Sequence, residues 1–178
     1  MTDFIQIFSQ PIGKPIILQI ISEIERQPSD FQKLFDLIFY ENKNIGWRAA
    51  WVADHLSRKH ADWFSNRMKI QLMRFAQISI PSGHLRLCLS ILLNAGLPDE
   101  ISGDFINFCF ENILNEKTAI AVKAQSVKIL SEICKTEPDL RNEVEAVLQN
   151  IDIQNYTAGM KTVVKKFLNK KPIKILPE

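Results

Sequence analysis

The sequence predicts an all-α protein: an α-α superhelix of about four helical pairs plus a C-terminal helix. Three observations predict it. Apolar residues recur at helical spacing along most of the chain; Ile45, Ala49, Val52, Ala53 and Leu56 are one such stripe. No stretch of five or more residues alternates apolar and polar with β-branched enrichment, so no strand is expected. A basic residue returns at Arg48, Arg86 and Lys123, 38 and 37 positions apart. Helical pairs at such a period bury their apolar faces only by stacking on their neighbours.

The elements follow in order. Residues 1–13, with Pro11 and Gly13, read as a loose leader. Pro15 suits the first turn of a helix, whose stripe is Ile17, Leu18, Ile21 and Ile24 and which ends at Pro28. Ser29 or Asp30 caps the next helix, buried along Phe31, Leu34, Phe35, Ile38 and Phe39. Asn42-Lys43-Asn44 is a turn. The third helix carries the Ile45–Leu56 stripe, with Trp47, Ala50, Trp51, Asp54 and Arg58 on roughly the opposite side. Large residues on two sides predict a helix packed from two sides.

The fourth helix runs to about Ser79, with Phe64, Met68, Leu72 and Phe75 as its stripe and Trp63, Arg67, Ile70 and Arg74 along another side. Pro81-Ser82-Gly83 breaks the chain before a fifth helix, apolar nearly all round from Leu85 to Leu93. Gly96-Leu97-Pro98-Asp99 precedes a sixth helix with Ile101, Phe105, Phe108 and Ile113. Thr118 caps a seventh, Pro138 opens an eighth, and a ninth spans about Asn155 to Asn169. The expected organisation is a leader over 1–13, one helical-repeat domain over 14–170 and a tail over 171–178 marked by Pro172 and Pro177.

At 178 residues the chain can bury enough surface to need no disulfide or metal staple. A net charge of +2 is too small to imply nucleic acid or an anionic membrane by itself. Cys88, Cys109 and Cys134 are odd in number, far apart and set among apolar residues, as small buried hydrophobes in a reducing compartment would be. The run Ile16–Ile21 is too short for a membrane span, and a cytoplasmic location is expected.

Aligning Arg48, Arg86 and Lys123 matches Trp47 with Leu85 and Val122, and Asp54 with Leu92 and Ile129. The alignment takes these helices as first members of their pairs. The second members then open near Ala61, Pro98 and Pro138, each beside an aspartate (Asp62, Asp99, Asp139) that suits a positive helix N-terminus. Val122-Lys123-Ala124-Gln125-Ser126-Val127-Lys128-Ile129-Leu130 resembles the second-helix motif of HEAT repeats, Val-Arg-x-x-Ala-x-x-x-Leu. Trp47-Arg48-Ala49-Ala50-Trp51 and Leu85-Arg86-Leu87-Cys88-Leu89 look like degenerate copies. The resemblance covers about residues 15–168 and implies a HEAT/armadillo-like solenoid. The turn aspartate that HEAT units often place before the basic residue is missing, with Asn42 or Asn44 the nearest substitute. The chain is also similar to small bacterial helical-repeat proteins of no assigned activity, some carrying the name adenylosuccinate lyase. It is far too short for that enzyme's fold and has no Gly-Ser-Ser-type flexible loop, so the name does not transfer.

The candidate surface is Trp47, Trp51, Asp54 and Arg58, with Trp63, Arg67 and Arg74 beyond it. The apolar counterparts of Trp47, Trp51 and Asp54 in other repeats favour packing against the preceding pair, and Asp54 can pair with Arg58 at i+4. Trp and Asp on a helical-repeat scaffold also resemble the HEAT-like glycosylases that excise alkylated DNA bases. Residues 43–75 hold seven Lys/Arg against two acids with aromatics interleaved, as a nucleic-acid surface would. His55, His60 and Asp62 have the wrong spacing for a metal site, since i+5 separates the histidines across faces. Residues 97–116 hold five acids and no Lys/Arg, while 159–178 hold six lysines and one acid; solvated faces usually account for such runs, and opposite patches could also drive self-association or partner docking. No catalytic residue, cofactor or metal is expected. The expected function is a non-enzymatic scaffold binding a protein or peptide; nucleic-acid binding is the alternative.

Overall fold

The structure, a computed structural model, describes residues 3–169. The expected tail over 171–178, with Pro172 and Pro177, lies outside the described residues, as do the first two residues of the expected leader. Among the described residues there are ten α-helices and no strand. They are α1 (Phe4–Ser9), α2 (Lys14–Arg26), α3 (Phe31–Asp36), α4 (Lys43–Ser57), α5 (Asn66–Ala76), α6 (Ser82–Ala95), α7 (Gly103–Leu114), α8 (Ile120–Ile133), α9 (Leu140–Asn150) and α10 (Ala158–Asn169). Within the stretch expected as one domain, the chain gathers into two compact units, Met1–Asp99 and Glu100–Glu178.

In the first unit α4 is the hub. It packs against α1, α2, α3 with the 3₁₀ turn Leu37–Phe39, and α6. Ile45, Gly46, Ala49, Ala50, Val52, Ala53, Asp54, Leu56 and Ser57 are all buried, so α4 is covered on more than one side. Glycine and alanine at four of these positions let neighbouring helices come close. Asn42 starts the helix by accepting from the Asn44 and Ile45 amides. α5 and α6 pair, and α6 lies on α4. In the second unit α8 holds the central place, packed by α7 and by α10.

Several expectations are corrected. Residues 4–9 are not loose: Asp3 caps α1 through the Gln6 amide, and Phe4 and Phe8 are buried. On α2 the buried stripe is Ile17, Ile20, Ile21 and Ile24, while Leu18 is exposed. The pairs are also phased differently. α4, α6 and α8 pair with the helix before each, not the one after. They are second members, as the resemblance of the Val122–Leu130 segment implies; the alignment fixed a period and could not fix where a pair begins. Nor do the first two aligned acids start helices, although the third, Asp139, does hold the cap position before α9, without a side-chain hydrogen bond. Ser65 and Ser102 cap α5 and α7 through the Met68 and Phe105 amides, three or more residues beyond Asp62 and Asp99. Thr118 is not a cap either; Ala119 holds that position before α8, without a side-chain hydrogen bond.

The recurring basic position has a structural role in two of its three copies. Arg48 donates from Nη1 to the Phe8 carbonyl at 2.6 Å, in the last turn of α1. Lys123, only 3% exposed, donates from Nζ to the Ile113 carbonyl at 2.8 Å, in the last turn of α7. Each cation meets the negative end of a helix, where carbonyls lack intrahelical donors. That replaces the side-chain ladder that a turn aspartate would build.

Gly46 has a packing reason. A Cβ there would stand 2.8 Å from the Ile38 carbonyl oxygen and 3.0 Å from Cε1 of His84. Alanine normally gains roughly 0.5–1 kcal/mol over glycine inside a helix. Here the backbone contact outweighs that, and Gly46→Ala is expected to destabilise by about 1–3 kcal/mol, read as a lower urea midpoint at constant slope. His84 itself is buried beside Phe75, ring centroids 5.3 Å apart, and burial pushes its pKa down from 6.5 to about 4. The unfolded chain takes up a proton near 6.5 that the folded chain refuses until about 4. Stability is therefore full above pH 6.5 and falls as pH drops to about 4, by roughly 3 kcal/mol. In His84→Phe that window of the stability-against-pH curve is expected to flatten.

Candidate functional site

Trp47, Trp51, Asp54 and Arg58 do lie along one side of α4. That side is turned to the following helix, α6, and not to the preceding pair. A Cβ on Gly83, at the start of α6, would stand 3.4 Å from Nε1 of Trp47. The rings of Trp47 and Trp51 lie 5.4 Å apart at 39°, both half-buried. The indole of Trp47 thus lies at ordinary contact distance from the first turn of α6. Toward the preceding elements, Arg48 reaches the Phe8 carbonyl of α1.

Asp54 is buried, and its charge is answered. Arg58 Nη2 donates to Oδ2 at 2.9 Å across one helical turn, and Asn94 Nδ2 donates to Oδ1 at 3.3 Å from α6. Asn94 Nδ2 also reaches Ser57 Oγ at 3.1 Å, and Ser57 Oγ donates to the Asp54 carbonyl at 2.9 Å. This network ties α4 to α6. Asn94 was not visible in the sequence as a partner, being 40 positions from Asp54.

Trp63 lies apart from this group, in the 3₁₀ turn Ala61–Trp63. Its ring packs on Phe31 at 5.3 Å and stacks on His60 at 4.2 Å. His60 Nε2 and Lys59 Nζ each lie 3.0 Å from Glu25 Oε1, and these hydrogen bonds hold the Glu25 carboxyl below its ordinary range. The cluster fastens the end of α4 to α2. Among the described residues no group of three or more His, Cys, Asp and Glu side chains could hold a metal ion.

Arg67 and Arg74 sit two turns apart on α5, both exposed and without an ion-pair or hydrogen-bond partner among the described residues. Gln71 is exposed between them, and Ile78, 56% exposed, lies just beyond the helix. Of the seven expected site residues, then, four are brought together by packing on α4, Trp63 braces a turn, and only the two α5 arginines are free.

The cysteines offer no nucleophile. All three are buried and free; burial raises the Cys109 thiol to about 12 and pushes Cys88 and Cys134 up as well. Among the described residues of the second unit are open depressions. One of about 500 Å³ is walled by Ile113, Ile120 and Tyr156 with the engaged Lys123 amine. Another, of about 290 Å³, lies between α8 and α10. None of the described helices is long and apolar enough to cross a membrane.

A family model described as HEAT repeat domain matches residues 4–171. Nothing among curated proteins matches the chain, and no solved structure does.

Both partners of the Asp54–Arg58 pair should matter for stability. Asp54→Ala leaves Asn94 without its carboxylate and is expected to lose about 1–3 kcal/mol. Arg58→Ala leaves a buried carboxylate with only the Asn94 amide to answer it and is expected to lose at least as much. Urea unfolding of the two variants side by side at about pH 7 checks the order.

Proposed function

Because the chain belongs to the HEAT repeat domain family, we propose that it is a non-enzymatic helical-repeat scaffold that binds a protein or peptide partner. The observation that carries this reading is the outer face of α5. Arg67 and Arg74 stand exposed there with no carboxylate of their own, whereas Arg58 is tied to Asp54. Arginine is enriched at protein interfaces because its planar fork forms several hydrogen bonds from one side chain. Ile78 beside them supplies apolar area to cover. Trp47, Trp51 and Asp54 would support such a contact by stiffening the helices beneath it; Trp63 would brace the turn leading into α5.

The same arginines favour one second reading, nucleic-acid binding related to excision of alkylated bases. Arg67 and Arg74 would track phosphates. The aromatic half of that reading is weaker, since Trp63 is already stacked on His60 and Phe31.

The double variant Arg67→Ala, Arg74→Ala tests the proposal. Immobilised wild-type chain is expected to retain a defined partner from the source cell's extract. The variant, with unchanged helical circular dichroism, should lose at least tenfold of it. Equal recovery by both forms would remove α5 from the reading. A gel-shift series at low salt with duplex and single-stranded DNA and RNA checks the alternative; a shift that the variant abolishes would replace the protein-partner reading.

A further inference from the structure

The second unit carries a cleft and, on a different helix, an edge that matches it in charge and apolar character. The cleft lies between α8 and α10 and holds about 290 Å³. Val127, Val163 and Phe167 supply its apolar lining, and Lys128 and Lys166 flank it. Both lysines are exposed and have no ion-pair or hydrogen-bond partner among the described residues. Glu132 is the one carboxylate among the lining residues, and it is already paired with Lys135. Such a cleft suits an apolar side chain with carboxylates close by.

The C-terminal end of α7 presents that combination. Leu114 is 57% exposed, a large aliphatic side chain left in water at the last position of its helix. Glu111 lies about one turn before it and Glu116 two residues after it, both exposed and unpaired among the described residues. Lys117 is exposed beside them, and Lys123, which lines the same depression as Leu114 and Glu116, is buried and already bonded to the Ile113 carbonyl. α7 and α10 both pack on α8 and make no extensive contact with each other, so the edge does not fill the cleft of its own chain.

We propose that the chain associates with a second copy of itself, Leu114 of one copy entering the α8–α10 cleft of the other. Glu111 and Glu116 then face Lys128 and Lys166. Apolar insertion holds the contact, while the charges steer it and set its register. Two different surfaces meet: reciprocal engagement of both copies closes a two-fold dimer, whereas a one-way contact runs head to tail into larger assemblies. The inference stands apart from the α5 reading and shares no residue with it.

Sedimentation velocity of the full-length chain over a concentration series tests it. At low salt the mass is expected to rise above the monomer with concentration, and high salt should weaken the association at least tenfold. Two charge-reversed forms then decide the geometry: Lys128→Glu with Lys166→Glu, and Glu111→Lys with Glu116→Lys. Each alone should be monomeric, and an equimolar mixture should associate again. Leu114→Ala, which only shortens an exposed side chain, should weaken association at both salt levels with unchanged circular dichroism. A wild-type chain that stays monomeric throughout overturns the proposal and leaves the cleft to an acidic segment of another protein. Reversed forms that associate like wild type, or a mixture that stays monomeric, also overturn it.

Discussion

The covering of α4 from several directions is the constraint on which the first unit depends. A helix enclosed in this way cannot keep a broad polar face, and bulky side chains all round would hold its neighbours apart. Gly46, Ala49, Ala50 and Ala53 meet the second requirement. The first is met by giving several of the remaining polar groups partners in place. Asp54 and Ser57 are tied to Asn94, and Arg48 reaches the end of α1. The second unit repeats the solution at α8, where buried Lys123 closes the end of α7. A repeat fold extends only if each central helix tolerates a layer on either side, and these substitutions for a plain apolar surface make that possible.

What was legible in the sequence was what is local. Helix stripes show up because residues three and four apart share a face, and Asp54 with Arg58 is legible for the same reason. The phase of the pairing was hidden, because a 37–38-residue spacing repeats equally well from any starting point. Caps were misplaced where two polar candidates competed. Asp62 and Asp99 looked right by charge, but Ser65 and Ser102 stand where the backbone turns. α1 was missed because six residues ahead of Pro11 and Gly13 give too short a pattern; the burial of Phe4 and Phe8, the Asp3 cap and the Arg48 bond to Phe8 hold it. The tryptophans of α4 were readable as a packed pair. That Trp47 meets the start of α6 is set by residues far along the chain.

This division bears on function. Side chains that carry the most chemistry on paper, two indoles and an aspartate, are committed to joining helices. The groups left available are simpler: two arginines on α5, and lysines beside an apolar cleft in the second unit. Both lie exposed on helices of a HEAT repeat domain.

The placement of the indoles has one more consequence. Trp47, Trp51 and Trp63 all lie within Met1–Asp99, each against an aromatic neighbour. Intrinsic emission excited at the red edge of the ultraviolet band therefore watches that unit alone, while far-ultraviolet ellipticity sums helices from both. Following the two signals through one melt would reveal whether the halves come apart in a single event or in sequence, with no label attached.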